Sequence, residues 1–305
     1  MPKHKAKLII NPNAGLGRAW RLGSDLRPIV EEFGGADWTG TVYPTHATEL
    51  AIQAAEEGYE LIIAVGGDGT NHEVINGLMQ IPAERRPKLG VIPVGTGNDF
   101  AFNVGMETRP EVAMRQVFNG NSKRIDVAKV VDSHGRCEYW DNTFGIGFDA
   151  TVTIRSRRVP IVKGFLVYLI SVLQTIMLNH EAAQLQIKTD TEEWESDSLM
   201  LVLCNGPREG GGFVVAPNAK VDDGLLDYAM IRRVSRPMMF RLLPEVMKGT
   251  HGRFKSVRIG NFRQMKIQSD RPLIIHNDGE IFAGFGTDVR QLSVEILPGA
   301  LEVMV

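Results

Sequence analysis

Gly66-Gly67-Asp68-Gly69-Thr70 puts three glycines and a carboxylate into five residues, directly after the apolar run 61–65. Glycine lacks the Cβ that keeps backbone N–H groups away from a phosphate, and the loop opens onto a helical pattern at 71–79, whose N-terminal end favours anions. Asp68 alone would repel phosphate. A divalent cation between its carboxylate and the phosphate oxygens removes the conflict. The plainer alternative is a strand-ending turn in which Asp68 caps the following helix.

Two further turns bear on that choice. Asn11-Pro12-Asn13-Ala14-Gly15 follows the β-type run 7–10, and Gly95-Thr96-Gly97-Asn98-Asp99 follows the run 89–94. All three end predicted parallel strands, and open α/β sheets bind ligands in the crevice outside such carboxyl ends. The three turns therefore converge on one ligand. No G-x-x-x-x-G-K-[ST] occurs, which excludes a P-loop NTPase. His72-Glu73 begins an H-E-x-x pattern, but Asn76 stands where a zinc metalloprotease needs its second histidine. Gly145-x-Gly147-x-x-Ala150 looks like a dinucleotide fingerprint but lies in a strand-rich region without a following βαβ unit.

The elements that must position these turns alternate. Strands are predicted at 7–10, 41–43, 61–65 and 89–94, with helices at 17–33, 47–57 and 71–79. That alternation predicts a parallel, doubly wound α/β layer. From about residue 125 strands follow one another, at 127–131, 139–144, 184–188, 198–203, 226–231, 265–269, 273–276 and 291–296, with helices inserted at 161–178 and 238–248. This is the pattern of a mainly antiparallel, sandwich-like second domain. The expected organisation is an α/β domain over 1–125 and a β-rich domain over 126–300. Whether 301–305 pairs back onto the first domain is left open.

The chain has 305 residues, 43% hydrophobic and 23% charged, which suits a globular protein with a sizeable core. A formal net charge of −2 gives no global field to recruit nucleic acid. Cys137 and Cys204 form no C-x-x-C pair, so neither a disulfide framework nor a structural zinc site is indicated. The apolar run at the N-terminus is too short for a signal-peptide core, so a cytoplasmic location is expected. The long apolar run 161–178 contains Lys163, Gly164, Ser171 and Gln174 and reads as a core helix. Arg155, Arg157 and Arg158 before it make peripheral contact with an anionic membrane surface the other reading.

Asn11-Pro12-x-Ala14-Gly15, the Gly66–Thr70 loop with Asn71-His72-Glu73, and Gly95-Thr96-Gly97-Asn98-Asp99-Phe100-Ala101 resemble the diacylglycerol kinase catalytic-domain family. So do Val221-Asp222-Asp223-Gly224-Leu225-Leu226-Asp227 and Asp278-Gly279-Glu280, in the same order. The chain is most similar to the stand-alone bacterial lipid kinases of that family. The glycine loop alone is shared with NAD kinases, phosphofructokinase-like enzymes and sphingosine kinases; the five segments together are more specific.

The resemblance implies a phosphofructokinase-like parallel sheet, a nucleotide site in the cleft between the domains, and γ-phosphoryl transfer from ATP to a lipid alcohol such as diacylglycerol. It implies ATP contacts at Asn11, Pro12, Asn13, Ala14, Gly15, Thr45, Gly66, Gly67, Asp68, Gly69, Thr70, Asn71, His72, Glu73 and Thr96. Asp68 would place Mg2+ on the phosphates, with Asp99 and Asp126 in a carboxylate and water network. Asp223 with the carbonyls of Lys220 and Leu225 would hold a structural magnesium ion, and a plain Asp-Gly hairpin turn is compatible with the same residues. Glu280 would be the base for the acceptor hydroxyl, with Asp278 beside it. Where relatives often carry a basic residue after the first glycine turn, Leu16 and Gly17 stand here; phosphate contact by Arg18, Arg21 or Lys163 is open. Sphingoid bases, phosphatidylglycerol and NAD are alternative acceptors, and a non-catalytic nucleotide-binding regulator is the rival from another class. The expected partners are a lipid substrate and, transiently, a membrane surface, with no nucleic acid; a homodimer is compatible with the sequence.

Overall fold

Strand and helix alternate from the start of the described chain: β1 (Ala6–Ile10), α1 (Ala14–Glu32), β2 (Asp37–Gly40), α2 (His46–Glu56), β3 (Leu61–Gly66), α3 (Asp68–Leu78), β4 (Lys88–Pro93), α4 (Asp99–Val104) and α5 (Pro110–Asn119). The computed structural model describes residues 5–157, 165–179 and 181–305. They divide into two units, Met1–Val127 with Pro298–Val305, and Ala128–Leu297. In the first unit the strands run parallel in the order β2-β1-β3-β4. β1 and β3 are buried along their whole length, as strands covered on both faces should be.

Two departures from the sequence pattern have physical causes. Thr41-Val42-Tyr43 has high β-propensity, yet the strand lies earlier, at Asp37–Gly40; β2 is an edge strand, and Val42 and Tyr43 beyond it are exposed. Helix α1 opens at Ala14, but Gly15, Leu16 and Gly17 have φ of 58°, 61° and 81°, so its regular part begins only after them.

The second unit is built from β5 (Ser122–Asp132, entering from the first unit), β6 (Cys137–Trp140), β7 (Thr143–Gly147), α6 (Phe148–Ser156), α7 (Phe165–Leu178), β8 (Ala183–Thr189), β9 (Glu193–Cys204), β10 (Leu226–Arg232), α8 (Arg236–Met247), β11 (Val257–Phe262), β12 (Gln264–Ser269), β13 (Ile275–Asn277), β14 (Glu280–Ala283) and β15 (Gln291–Met304). Neighbours pair antiparallel in the order β14-β13-β7-β9-β8-β12-β15, and β10 lies between β9 and β11. The alternation of β9 sends Leu201 and Leu203 to a core with Trp140, Phe144, Tyr228 and Phe262. Met200, Val202 and Cys204 point the other way, to Phe148 of α6, Val172 and Ile176 of α7 and Met239 of α8. The expected single strand over 139–144 is two, β6 and β7, broken at Asp141-Asn142. The expected strands at 291–296 and 301–305 are one, β15, whose Val303 pairs parallel with Leu89 of β4. Strands β11 and β14 and helices α4, α5 and α6 had no counterpart in the sequence reading.

Of the predicted helix 161–178, residues 161–164, with Lys163, lie outside the described residues, as does Arg158. Ser171 and Thr175 in α7 donate their hydroxyls to Val167 O and Ser171 O, so these polar side chains are satisfied on the helix itself. Among the described residues no helix is long and apolar enough to cross a membrane.

Candidate active site

The three glycine turns of the first unit lock together. A Cβ on Gly67 would stand 2.9 Å from Gly95 Cα, and one on Gly95 would stand 2.5 Å from Gly67 Cα. Only glycine at both positions permits that backbone approach. Asn11 Nδ2 donates to Thr70 Oγ1 at 3.2 Å, tying the first turn to the second. Asn98, at φ 52°, closes the third turn by accepting from Gly95 N at 2.8 Å and donating to Gly95 O at 3.1 Å.

Asp68 joins the second turn to the third. Its Oδ1 accepts the N–H of Phe100 at 3.2 Å. A Cβ on Gly97 would lie 2.9 Å from Asp68 Oδ2 and 3.0 Å from Asp99 Oδ2, so two carboxylates flank one bare stretch of backbone. Oxygen donors of this kind fit a hard divalent cation, and the open glycine backbone fits phosphate oxygens. Thr96 and Asn13 are exposed at the rims of their turns, and Pro12, Ala14 and Gly69 are partly exposed.

Other residues expected to contact ATP shape this platform from behind. Asn71 and His72 are buried, and the His72 ring is 3.3 Å from Asn76 Nδ2. Glu73 reaches back from α3 to accept the N–H groups of Thr45 at 2.9 Å and Ala47 at 3.1 Å, which caps α2 and holds Thr45 at φ 72°. Asp126 is buried and accepts the N–H of Gly299 at 2.7 Å. Arg18 and Arg21 are exposed on α1.

In the second unit, Asp278-Gly279-Glu280 forms the β13–β14 turn. Asp278 takes φ 49°, and its carboxylate accepts three backbone N–H groups, from Asp141 at 3.1 Å, Asn142 at 3.0 Å and Thr143 at 3.0 Å. Asp278 therefore anchors the turn to the break between β6 and β7, a use of its oxygens that leaves little for proton abstraction. Glu280 is half-exposed and pairs with Arg157 at 2.6 Å, while Arg157 also donates to Gly279 O at 2.9 Å.

Three residues here escaped the sequence reading: Arg157 as a partner of Glu280, and the pair His276 and Asp149. His276 Nε2 lies 2.5 Å from Asp149 Oδ2. Burial opposes ionisation of Asp149, and the adjacent His276, with a hydrogen bond from Glu209, holds its pKa below the ordinary carboxylate value. The one available signal was the unexplained Gly145-x-Gly147.

Before β10, Asp223 Oδ1 accepts the N–H of Leu225 at 3.1 Å, a turn-closing bond. Behind it, burial and the neighbouring Asp223 carboxylate push the Asp227 pKa up to about 6. Two carboxylates repelling one another fit a cation-binding turn, with Lys220 and Leu225 flanking it in the chain.

A parallel layer with converging glycine turns is joined in sequence to an antiparallel domain with an acidic turn. Residues 5–130 match the family model of the diacylglycerol kinase catalytic domain, and residues 142–305 match that of the YegS C-terminal NAD kinase beta sandwich-like domain. The chain belongs to the diacylglycerol kinase and YegS-like lipid kinase family. It is 30% identical to a protein of Yersinia enterocolitica named “Probable lipid kinase YegS-like”, over 84% of this chain and 82% of that one. A diacylglycerol kinase of Mycobacterium tuberculosis is 28% identical over 85% of this chain and 81% of its own length. A Bacillus anthracis crystal structure, described as that of a candidate diacylglycerol kinase, superposes with a TM-score of 0.79 at 26% identity, covering 100% of this chain and 98% of that one.

Proposed function

We propose that this protein is an ATP- and magnesium-dependent kinase that phosphorylates the hydroxyl group of a lipid, with diacylglycerol as the leading acceptor. The carrying observation is the contact of the Gly67 and Gly95 turns beneath the paired carboxylates of Asp68 and Asp99. That arrangement offers backbone N–H groups to phosphate oxygens and carboxylate oxygens to a hard cation. Magnesium, when bound, neutralises charge on the transferring phosphoryl group.

The remaining work falls to the chain's own groups. The glycine turns orient the γ-phosphate. Glu280 orients the lipid hydroxyl and takes its proton as the new oxygen–phosphorus bond forms and the bond to ADP breaks. Arg157 must release Glu280 for this step, and their half-exposed pair is weak enough to exchange. Asp278 keeps the turn in shape. An acceptor dissolved in a bilayer implies that the working enzyme visits a membrane surface.

The test is phosphoryl transfer from γ-labelled ATP, with magnesium, to diacylglycerol, phosphatidylglycerol and sphingosine in mixed micelles, and to NAD. The NAD arm is included because the second half matches an NAD kinase beta sandwich-like domain. Label in phosphatidic acid is expected. Label confined to NAD, or no label in any arm, would overturn the reading.

A further inference from the structure

The glycine pattern that no dinucleotide site explains is accounted for by two side chains above it. In the β7–β13 ladder Gly145 stands opposite His276. A Cβ on Gly145 would lie 2.0 Å from Asp149 Oδ2 and 2.3 Å from His276 Nε2. The space that any other residue would fill is occupied by the Asp149 and His276 pair, whose side chains are only 13% and 4% exposed.

The second ring nitrogen shows what the pair does. Gly279 N–H points at His276 Nδ1, 3.2 Å away. An amide N–H only donates, so Nδ1 is the acceptor and Nε2 carries the proton, which it donates to Asp149. Gly279 directly precedes Glu280 and takes φ 82°, after Asp278 at φ 49°. Positive φ at both residues is what a two-residue Asp-Gly hairpin turn favours, so the local chain sets the shape of the turn and the side chains around it set where it sits. Asp278 fixes one side of the turn through three backbone amides, and His276 fixes the other.

We propose that Asp149 and His276 are positioning residues: Asp149 selects the Nε2–H tautomer of His276, and His276 holds Gly279 so that Glu280 is aimed at the acceptor hydroxyl. This rests on the role of Glu280 in the proposed function. A metal centre is the competing use of the cluster, because donor atoms of Asp149, Glu209 and His276 all lie within 4.8 Å of one another. The 2.5 Å approach of Nε2 to Oδ2 is a hydrogen-bond separation. Two ligands about 2.0–2.2 Å from one ion would stand roughly 3 Å or more apart.

Two measurements test this. Histidine 15N NMR of the whole protein should show His276 with a protonated Nε2 and an unprotonated Nδ1, and Asp149→Leu should lose that single tautomer. A protonated Nδ1 in the wild type overturns the proposal, whether or not the protein turns out to be a lipid kinase. In the kinase assay, His276→Asn keeps an acceptor at the depth of Nδ1, whereas His276→Leu fills the buried space without one. The asparagine variant should keep kcat within a few-fold, and the leucine variant should lose about 10–100-fold in kcat with KM for ATP unchanged, the range seen for outer partners of functional groups. If the site serves packing alone, leucine is the better tolerated, and that order overturns the proposal. A wild type that phosphorylates no acceptor removes the proposed function, and the aiming of Glu280 with it, while the tautomer result stands by itself.

Discussion

In the proposed function Glu280 handles the proton and Asp68 the phosphate, and each role can be separated from its structural surroundings. Glu280→Gln keeps shape and most hydrogen bonding but cannot take a proton. We expect kcat to fall by about 10²–10⁴-fold with KM for ATP little changed, read by steady-state kinetics against both substrates. Equal loss of ATP binding would make Glu280 a structural or metal residue. Asp68→Ala should lower turnover by roughly two orders of magnitude or more. It also removes the bond to Phe100 N, so a small fall in melting temperature is expected alongside. At this scale the sequence showed what is local: glycines where two turns approach closely, and a carboxylate among them. It did not show His276 with Asp149, because 127 residues separate them and they meet through the register of β7 on β13 and the start of α6 directly after β7.

The turn before β10 joins a raised carboxyl pKa to the expected magnesium site. Asp227 has a folded pKa of about 6 against an ordinary 3.8, so the fold favours its protonated form. Its contribution to stability is complete below pH 3.8 and is lost as pH rises through about 6. With chelator present, the melting temperature of the wild type relative to Asp227→Asn should therefore decline across that window. Magnesium should oppose the decline if Asp223 holds it, and Asp223→Ala should abolish the magnesium effect. Identical melting curves with magnesium and with chelator would remove the site. The elements themselves were legible wherever burial was two-sided and continuous, as in β3 and β4. They were illegible where a distant residue set the boundary: nothing near Asp141-Asn142 announces a strand break, since the carboxylate that holds it belongs to Asp278.

The change from alternating to successive strands read near residue 125 lies close to Val127, where the first unit ends. What the sequence pattern did not show is that β15 is a single strand that begins in the second unit and ends in the first. Its Leu301 and Val303 are buried, Val303 pairs with Leu89, and Val305 exchanges backbone hydrogen bonds with Asn121. A pattern of apolar alternation reports which residues are covered, not which strand covers them.

This return has a consequence for how the protein is made. A ribosome delivers residues 5–127 long before 298–305, so the first unit emerges with the outer edge of β4 unpaired, and it waits there through the synthesis of the whole second unit. A fragment ending at residue 127 should accordingly be cut by protease far faster than the same region in the full chain, and a synthetic peptide spanning 298–305 should slow the cutting. Equal resistance of fragment and full chain would show that the returning strand is dispensable. Otherwise the half that carries the glycine turns is finished only when the half that carries Glu280 has already been built, and a truncated product exposes an open sheet edge where β15 would lie.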